Sequence, residues 1–474
     1  MHIRTHRFTS VLVGALLLTP VAVAGQEAGA ASSGNAFPPD STVLSILKER
    51  VAQHRSAGIV VGLLEPDGRT HILAWGDPGP GQPPLDGNSV FEIGSITKVF
   101  TATVLAEMVL DGEVSLDDPV QKYLPPSVHM PTRDGKQITL GNLSEQNSGL
   151  PRMPTNFHPK DPSNPYADYT VKDLYAFLSG YQLTRDPGAK FEYSNLGVGL
   201  LGQVLSLRAG MSYEEMMRER VWKPLGMMET GITLTPWMKQ HLALGHDDKG
   251  KVVPNWDVGA LGGAGAIRST AVDMLKFLSA NVHTETGPLG KAMAFAHQER
   301  APAGAPNLKI GLNWISLHAG SDTIVWHNGG TGGYRTFAGF VPSRDIAVVV
   351  LTNSGGQGAD DIGLHLLRPA IPLAPPPAPR KEYKAIDVSK DVLARYVGTY
   401  ELAPQFHIEV TLEGDALFEQ ATGQGKLRLW PYTQRDFFIK EVDAQITFET
   451  DDSGAVVRMV LHQNGRDVPG KKVR

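Results

Sequence analysis

FEIGSITKVFT, residues 91–101, places a serine and a lysine three positions apart where an apolar run begins. Two readings of that spacing compete. In one, Ser95 caps a helix and Lys98 decorates its surface, as small polar residues and lysines do at many helix starts. In the other, Ser95 is a nucleophile and Lys98 helps to take its proton, because a serine hydroxyl attacks poorly until a base acts on it. Val99, Ala102, Leu105, Ala106, Val109 and Leu110 recur at helical spacing up to Asp111-Gly112, which predicts a helix over 95–110. Val104 and Met108 thicken the stripe, so this helix is expected to be largely buried. A lysine in its first turn opposes the helix dipole, yet S-x-x-K alone is a common spacing, so other stretches must decide.

Two of them bear on the choice. In FEYSNLGVGLLG, residues 191–202, Tyr193 and Asn195 sit two apart before a glycine-rich apolar helix, so phenol and carboxamide can enter one pocket if the link is extended. The plainer reading packs the tyrosine on the core and lets the asparagine cap the helix. In TIVWHNGGTGGYRTFAGFVP, residues 323–342, a strand-like run reaches His327 and meets Asn328, Gly329 and Gly330, with strand geometry resuming at Tyr334. Glycines beside a strand-edge histidine let backbone approach a ligand and expose N–H donors, which suits a pocket wall better than a loose hairpin turn.

Taken together, SITK, YSN and HNG, in this order and at these separations, resemble the three motifs of serine β-lactamases and penicillin-binding proteins, S-x-x-K, Y-x-N and K/H-[TSN]-G. The arrangement is most similar to class C β-lactamases and their D,D-carboxypeptidase, D-aminopeptidase and family VIII esterase relatives. DGEVSLDDPVQKYLP (111–125), ITLGNLSEQNSGLP (138–151), KPLGMMET (223–230) and IRSTAVDMLKF (267–277) extend the likeness, which runs from about residue 40 to 367. The resemblance implies an α/β fold: a β-lactamase/transpeptidase-like domain, an antiparallel sheet faced by helices plus a helical region. It implies Ser95 as the nucleophile that forms an acyl-enzyme, Lys98 as a member of its proton-transfer network and Tyr193 as general base and then acid. Asn195, His327, Asn328 and Gly329 become substrate contacts, and the N–H groups of Ser95 and Gly330 an oxyanion hole.

Two departures stand out. His327-Asn328-Gly329 replaces the K-T-G usual in class C enzymes, and a histidine largely neutral at pH 7 draws a carboxylate less than a lysine does, which weighs against efficient β-lactam turnover. Gln146-Asn147 replaces the relatives' histidine-threonine pair before Ser148-Gly149-Leu150.

The remainder of the chain sets the frame. Its 474 residues, 41% hydrophobic and 20% charged, exceed one typical domain and have ordinary globular usage. A net charge of −5 without a basic run points away from nucleic acid. Arg4 and Arg7, an apolar run over Val11–Leu18 and small residues at Ala22 and Ala24 form the pattern of a cleaved signal peptide over 1–24, hence export to the periplasm or beyond and no transmembrane span in the mature chain. With no cysteine there is no disulfide, thiolate chemistry or lipid attachment through a thiol. His158, His241 and His246 lack metal-ligand spacing, so neither metal nor cofactor is expected.

Residues 25–39 read as a flexible leader, with the ordered part starting near Asp40 and Ser41 or Thr42 capping a helix to Val51. Apolar runs around Pro66-Asp67-Gly68 predict a hairpin. Further helices are expected at Val171–Ser179, Gly197–Ala209, Ser212–Val221 and Thr270–Ala280, the last opening on a capping box, and strands at Arg335–Val341 and Ile346–Leu351. Strands at both ends of the stretch suggest one sheet built from both termini of a catalytic domain over 40–368. A proline-rich linker, 369–384, leads to short β-like runs over 385–474, separated by Glu413-Gly414-Asp415, Asp451-Asp452-Ser453-Gly454 and Asn464-Gly465, the pattern of a small antiparallel barrel or sandwich.

Functionally, the reading is an exported serine hydrolase acting on a small molecule or a peptidoglycan peptide, with a β-lactam or D-Ala peptide amide opened through an acyl-serine. A carboxylesterase and a non-catalytic penicillin- or wall-binding protein are the alternatives.

Overall fold

The computed structural model describes residues 36–287, 289–376, 383–403, 406–422, 425–440, 442, 444–463 and 466–473. The expected signal peptide, most of the leader, residues 377–382 of the linker and the Asn464-Gly465 turn lie outside them. The chain divides into two compact units at Pro375–Pro376.

In the first unit, GIVVGLL forms β1 (Gly58–Leu64), which turns at Pro66-Asp67-Gly68 into β2 (Thr70–Gly76). The other strands come from the far end of the unit: β3 (Ala301–Pro302), β4 (Leu308–Ile310), β5 (Ile315–Ala319), β6 (Asp322–Gly330), β7 (Arg335–Val341) and β8 (Ile346–Thr352). They build one antiparallel sheet in the order β2-β1-β8-β7-β6-β5-β4-β3, with Ile59 opposite Thr352 and Leu64 opposite Ala347 closing the two ends together. β1 and Ile346–Leu351 of β8 are apolar without interruption because both faces are covered. Ile59, Val61, Leu63, Val348 and Val350 join one core with Val43 and Leu47 of α1 (Asp40–Ala52). Val60, Leu64, Val349 and Leu351 join the other, larger core.

That larger core surrounds α2 (Thr97–Leu110), whose residues from Thr97 to Ala106 are all buried, as the apolar stripe predicts. Around it lie α3 (Val171–Gly180), α4 (Asn195–Ala209), α5 (Ala271–Val282) and α6 (Gly290–His297), while α7 (Asp360–Leu367) contributes Ile362, Leu366 and Leu367 to the first core.

Several local expectations need correction. α1 is preceded by Pro39 and has no side-chain cap from Ser41 or Thr42. Order also begins before Asp40, since Phe37 is buried and the Ala36 N–H donates to Glu65 Oε2 at 2.8 Å. Thr270 accepts from the Asp273 N–H, but the Asp273 carboxylate binds the Glu229 N–H and the Thr230 hydroxyl, so half of the expected capping box is diverted to a tertiary contact. The helix from Ser212 runs as Tyr213–Met217 and then widens into a π turn, Arg218–Trp222. The start of the proline-rich stretch is tied down: Ile371 is buried, and Ala374 bonds Asp361 through its N–H and Arg55 through its carbonyl.

The second unit is a closed barrel of eight antiparallel strands in sequence order: β9 (Gly398–Ala403), β10 (Phe406–Glu413), β11 (Ala416–Ala421), β12 (Leu427–Pro431), β13 (Asp436–Ile439), β14 (Ala444–Thr450), β15 (Val456–Gln463) and β16 (Arg466–Lys472). Tyr400 opposite Lys472 closes the ring, which leaves no edge strand. Gly414 and Gly454 have φ of +63° and +81°, the left-handed conformation that the two glycine turns require. Inward positions alternate along the strands and fill the interior with Tyr400, Ile408, Val410, Leu429, Phe437 and Phe448.

Candidate active site

Ser95 does not cap α2. It lies in a 3-10 turn, Gly94–Ile96, ahead of a helix that has no side-chain cap, so its hydroxyl is free for another partner. That partner is Lys98, whose Nζ is 2.9 Å from Ser95 Oγ. The same amine donates to Asn195 Oδ1 at 2.9 Å and to the Ala264 carbonyl at 2.7 Å. Lys98 is wholly buried, and no acid pairs with it among the described residues. Burial, reinforced by the charge of Arg152, pushes the Lys98 amine well below the ordinary lysine range.

The glycines of NLGVGLLG bring the Ala264 carbonyl there. A Cβ on Gly202 would lie 2.8 Å from Gly263 Cα, and one on Gly199 2.7 Å from the Leu261 side chain, so only a glycine face on α4 lets the 261–264 turn approach. Neither Tyr193 nor Asn195 caps α4. Ser194, between them, accepts from the Gly197 N–H at 2.8 Å and donates to the Pro151 carbonyl at 2.7 Å, which frees Asn195 for Lys98. The Tyr193 ring lies 4.9 Å from the Lys98 amine and 6.2 Å from the His327 ring. Its hydroxyl is buried without a full hydrogen bond, although Ser95 is near enough to offset part of the upward push of burial, which takes the phenol to about 12.

β6 carries the opposite wall. Its strand geometry continues through Gly330, and Thr331–Tyr334 form the turn into β7, so this segment is a hairpin, the plainer of the two readings. β5 pairs only as far as Trp326, leaving His327–Gly330 paired on the β7 side alone. Two glycine contacts press this edge against the serine turn. A Cβ on Gly329 would sit 1.9 Å from the Ile93 carbonyl, and one on Gly94, at φ +52°, 2.6 Å from the Gly330 nitrogen. Ser95 and Gly330 therefore belong to touching backbone segments.

His327 Nδ1 is 2.6 Å from the Asn328 carbonyl, and a carbonyl only accepts, so Nδ1 carries the proton. Burial first, then the Lys98 charge, holds the ring near 3, which makes it neutral with a bare Nε2. Asn328 alternates with His327 along the strand, and its amide donates to Asp360 Oδ2 of α7 at 2.6 Å. Asn328 thus has its side chain engaged by α7, which narrows its expected part in substrate contact to its main chain. Burial raises the Asp360 carboxyl to about 6.

Sequence reasoning left Gln146 without a role. Its side chain accepts from the Ser194 N–H at 2.6 Å and donates to Asn313 Oδ1 at 2.9 Å, and its carbonyl takes the Glu192 N–H at 2.7 Å. The residue is buried at φ +57°, a brace under the Tyr193–Asn195 segment. Arg152 and Ala264 were also missed. The glycine cluster LGGAGA, residues 261–266, is a signal that could have flagged the latter. His158, His241 and His246 do not join the site, and no cluster of acids and histidines fit for a metal occurs among the described residues.

A family model described as Beta-lactamase matches residues 43–369. The chain belongs to the beta-lactamase family. It is a serine hydrolase of that family, similar to the D-alanyl-D-alanine-carboxypeptidase/endopeptidase AmpH of Escherichia coli (strain K12), at 30% identity over 331 residues, 65% of this chain and 84% of that protein. Penicillin-binding protein 4* of Bacillus subtilis (strain 168) is 26% identical over 413 residues, 81% of this chain and 88% of its own. The octameric penicillin-binding protein homologue from Pyrococcus abyssi shares the fold, with a TM-score of 0.62 at 22% identity over 91% of this chain and 99% of that one. Residues 382–472 match a domain of unknown function, DUF3471. No helix among the described residues is long and apolar enough to cross a membrane.

Proposed function

We propose that this chain is an exported hydrolase that opens the amide of a D-amino-acid peptide or a β-lactam through an acyl-enzyme on Ser95. The observation that carries the reading is the Lys98 amine: buried, without an acid partner, and 2.9 Å from Ser95 Oγ. A neutral amine has two N–H donors and one lone pair. Asn195 Oδ1 and the Ala264 carbonyl take the donors, which leaves the lone pair for the Ser95 proton.

Lys98 is then the base and Tyr193 the acid, a reversal of the first role expected for the tyrosine. A phenol at about 12 holds its proton at neutral pH, whereas an amine well below its ordinary range releases one readily. Ser95 Oγ attacks the carbonyl as its proton passes to Lys98, and the charge on the tetrahedral oxygen meets the N–H groups of Ser95 and Gly330. Collapse breaks the bond to the leaving group, which takes the Tyr193 proton, and the tyrosine is recharged from Lys98. Water then cleaves the acyl ester by the same transfers. The half-paired edge His327–Gly330 suits a substrate that binds in extended form beside β6.

A carboxylesterase is the second reading, favoured by the neutral His327, which offers no charge to an acid substrate. A panel of nitrocefin, p-nitrophenyl butyrate, D-Ala-p-nitroanilide and a D-Ala-D-Ala peptide ranks the two. We expect a burst of product and its loss in Ser95→Ala. Unchanged turnover in that variant rules the mechanism out, and stable labelling without release identifies a binding protein instead.

A further inference from the structure

The pocket presents little positive charge to an anionic substrate from the residues already assigned. His327 is neutral, and Lys98 is enclosed with all its hydrogen-bonding capacity engaged. Arg335, at the end of the pocket wall, spends its guanidinium on the carbonyls of Thr331 and Tyr334. Arg152 differs from all three. Its guanidinium carbon stands 5.0 Å from the centre of the Tyr193 ring, and no side-chain acid or carbonyl bonds it among the described residues.

The backbone that carries it is fixed to the site. The Arg152 carbonyl accepts the N–H groups of Asn195 at 3.0 Å and Leu196 at 3.3 Å, and the preceding carbonyl accepts the Ser194 hydroxyl. The next residue, Met153, places its sulfur 3.7 Å from both Asn195 Nδ2 and the Tyr166 hydroxyl. An anchored main chain with a head that touches the Tyr193 ring but has no acid or carbonyl to bond among the described residues leaves its donors for something absent from the chain itself. A guanidinium has a planar fork of donors that matches a carboxylate in two parallel hydrogen bonds. The Tyr193 ring is close to both cations, Arg152 Cζ at 5.0 Å and Lys98 Nζ at 4.9 Å from its centre, so a carboxylate on Arg152 belongs to a substrate whose scissile carbonyl is at Ser95.

Resting on the acyl-enzyme reading above, we propose that Arg152 is the specificity residue of this site, binding the free carboxylate of substrates that carry one a few bonds from the scissile carbonyl. The preferred class is then an acyl amino acid, a peptide with its C-terminal carboxylate next to the cleaved bond, or an anionic ester of the same shape. Neutral esters are handled less well.

The test uses two esters built on the best-cleaved acyl group of the panel, identical except that the leaving group ends in a carboxylate or in a carboxamide. The full-length enzyme is expected to prefer the carboxylate. In Arg152→Met, which keeps the stem and removes the charge, the ratio of kcat/KM values falls about 10- to 100-fold, the range of a charged hydrogen-bonded contact, mainly through KM. Arg152→Lys, which keeps the charge without the fork, retains part of the preference and guards against a mere packing effect. An equal ratio in wild type, or a ratio unmoved in Arg152→Met, overturns the proposal. Binding of the two esters to Ser95→Ala, followed by calorimetry, separates the two levels: turnover that survives in Ser95→Ala refutes the acyl-enzyme, whereas equal binding of the two esters there refutes Arg152 alone.

Discussion

Lys98 in the first unit and Glu419 in the barrel are both buried titratable side chains without an opposite charge, and their surroundings could hardly differ more. Around the Lys98 amine, groups from three separate segments converge: Ser95 from the preceding turn, Asn195 from α4 and the Ala264 carbonyl from the glycine turn. Glu419 projects into the barrel between Leu417 and Ala421 on the same strand face, and one of its oxygens has no partner. Burial shifts both groups, the lysine down and the acid up to about 7. A displaced pKa therefore marks burial in each case, and only convergence of partners on one reacting atom separates chemistry from packing.

Lys98→Met tests the converged group and carries the largest expected effect, a loss of about 10³-fold in kcat with the protein still folded. Its stability profile should change as well. A depressed folded pKa means that the unfolded chain holds a proton the folded one lacks, so this group's contribution is complete only above about 10.4 and is lost as pH falls toward the folded value. Urea unfolding between pH 7 and 9 should accordingly show a gain in stability with pH that is smaller in Lys98→Met. A variant that retains turnover breaks the contrast.

Gln146→Ala sharpens it by removing support one step behind the reacting groups. The change strands the Ser194 N–H and the Asn313 side-chain carbonyl in a buried setting, which costs about 3 kcal/mol, while the φ of +57° strains glutamine and alanine alike. Because the lost bond holds the segment bearing Tyr193 and Asn195, kcat should fall about 10-fold while the fold survives. Thermal unfolding and steady-state kinetics read the two effects separately. Full activity in a destabilised protein reduces Gln146 to packing.

How much of this was legible in the sequence depends on whether identity or placement carries the role. Ser95, Lys98, Tyr193 and Asn195 could be named because their residue types stand at recognisable spacings, and α2 because its apolar stripe is long. The closing of the sheet by β1 and β8 also followed from strands at both ends. Gln146 was visible only as a departure without a role, because its side chain acts across the fold through partners 48 and 167 positions away. Ala264 escaped because a carbonyl has no residue type to betray it. The cap of α4 shows the limit of local reading: Asn195 was as good a capping residue as Ser194, and only the proximity of Lys98 decides between them.

Glu419→Gln has the smallest expected effect and tests the unconverged group. A carboxyl raised from 4.5 to about 7 keeps its proton in the folded barrel where the unfolded chain has lost it. Its penalty is therefore absent below about pH 4.5, grows as pH rises, and is complete above about 7, at roughly 2–3 kcal/mol. Glutamine keeps the shape and removes the charge, so the barrel's unfolding midpoint should rise at pH 8 and match wild type at pH 4. Turnover should stay unchanged at both values. A drop in kcat would mean that the isolated acid serves the reaction after all, and the distinction between convergence and mere burial would fail where it is most exposed.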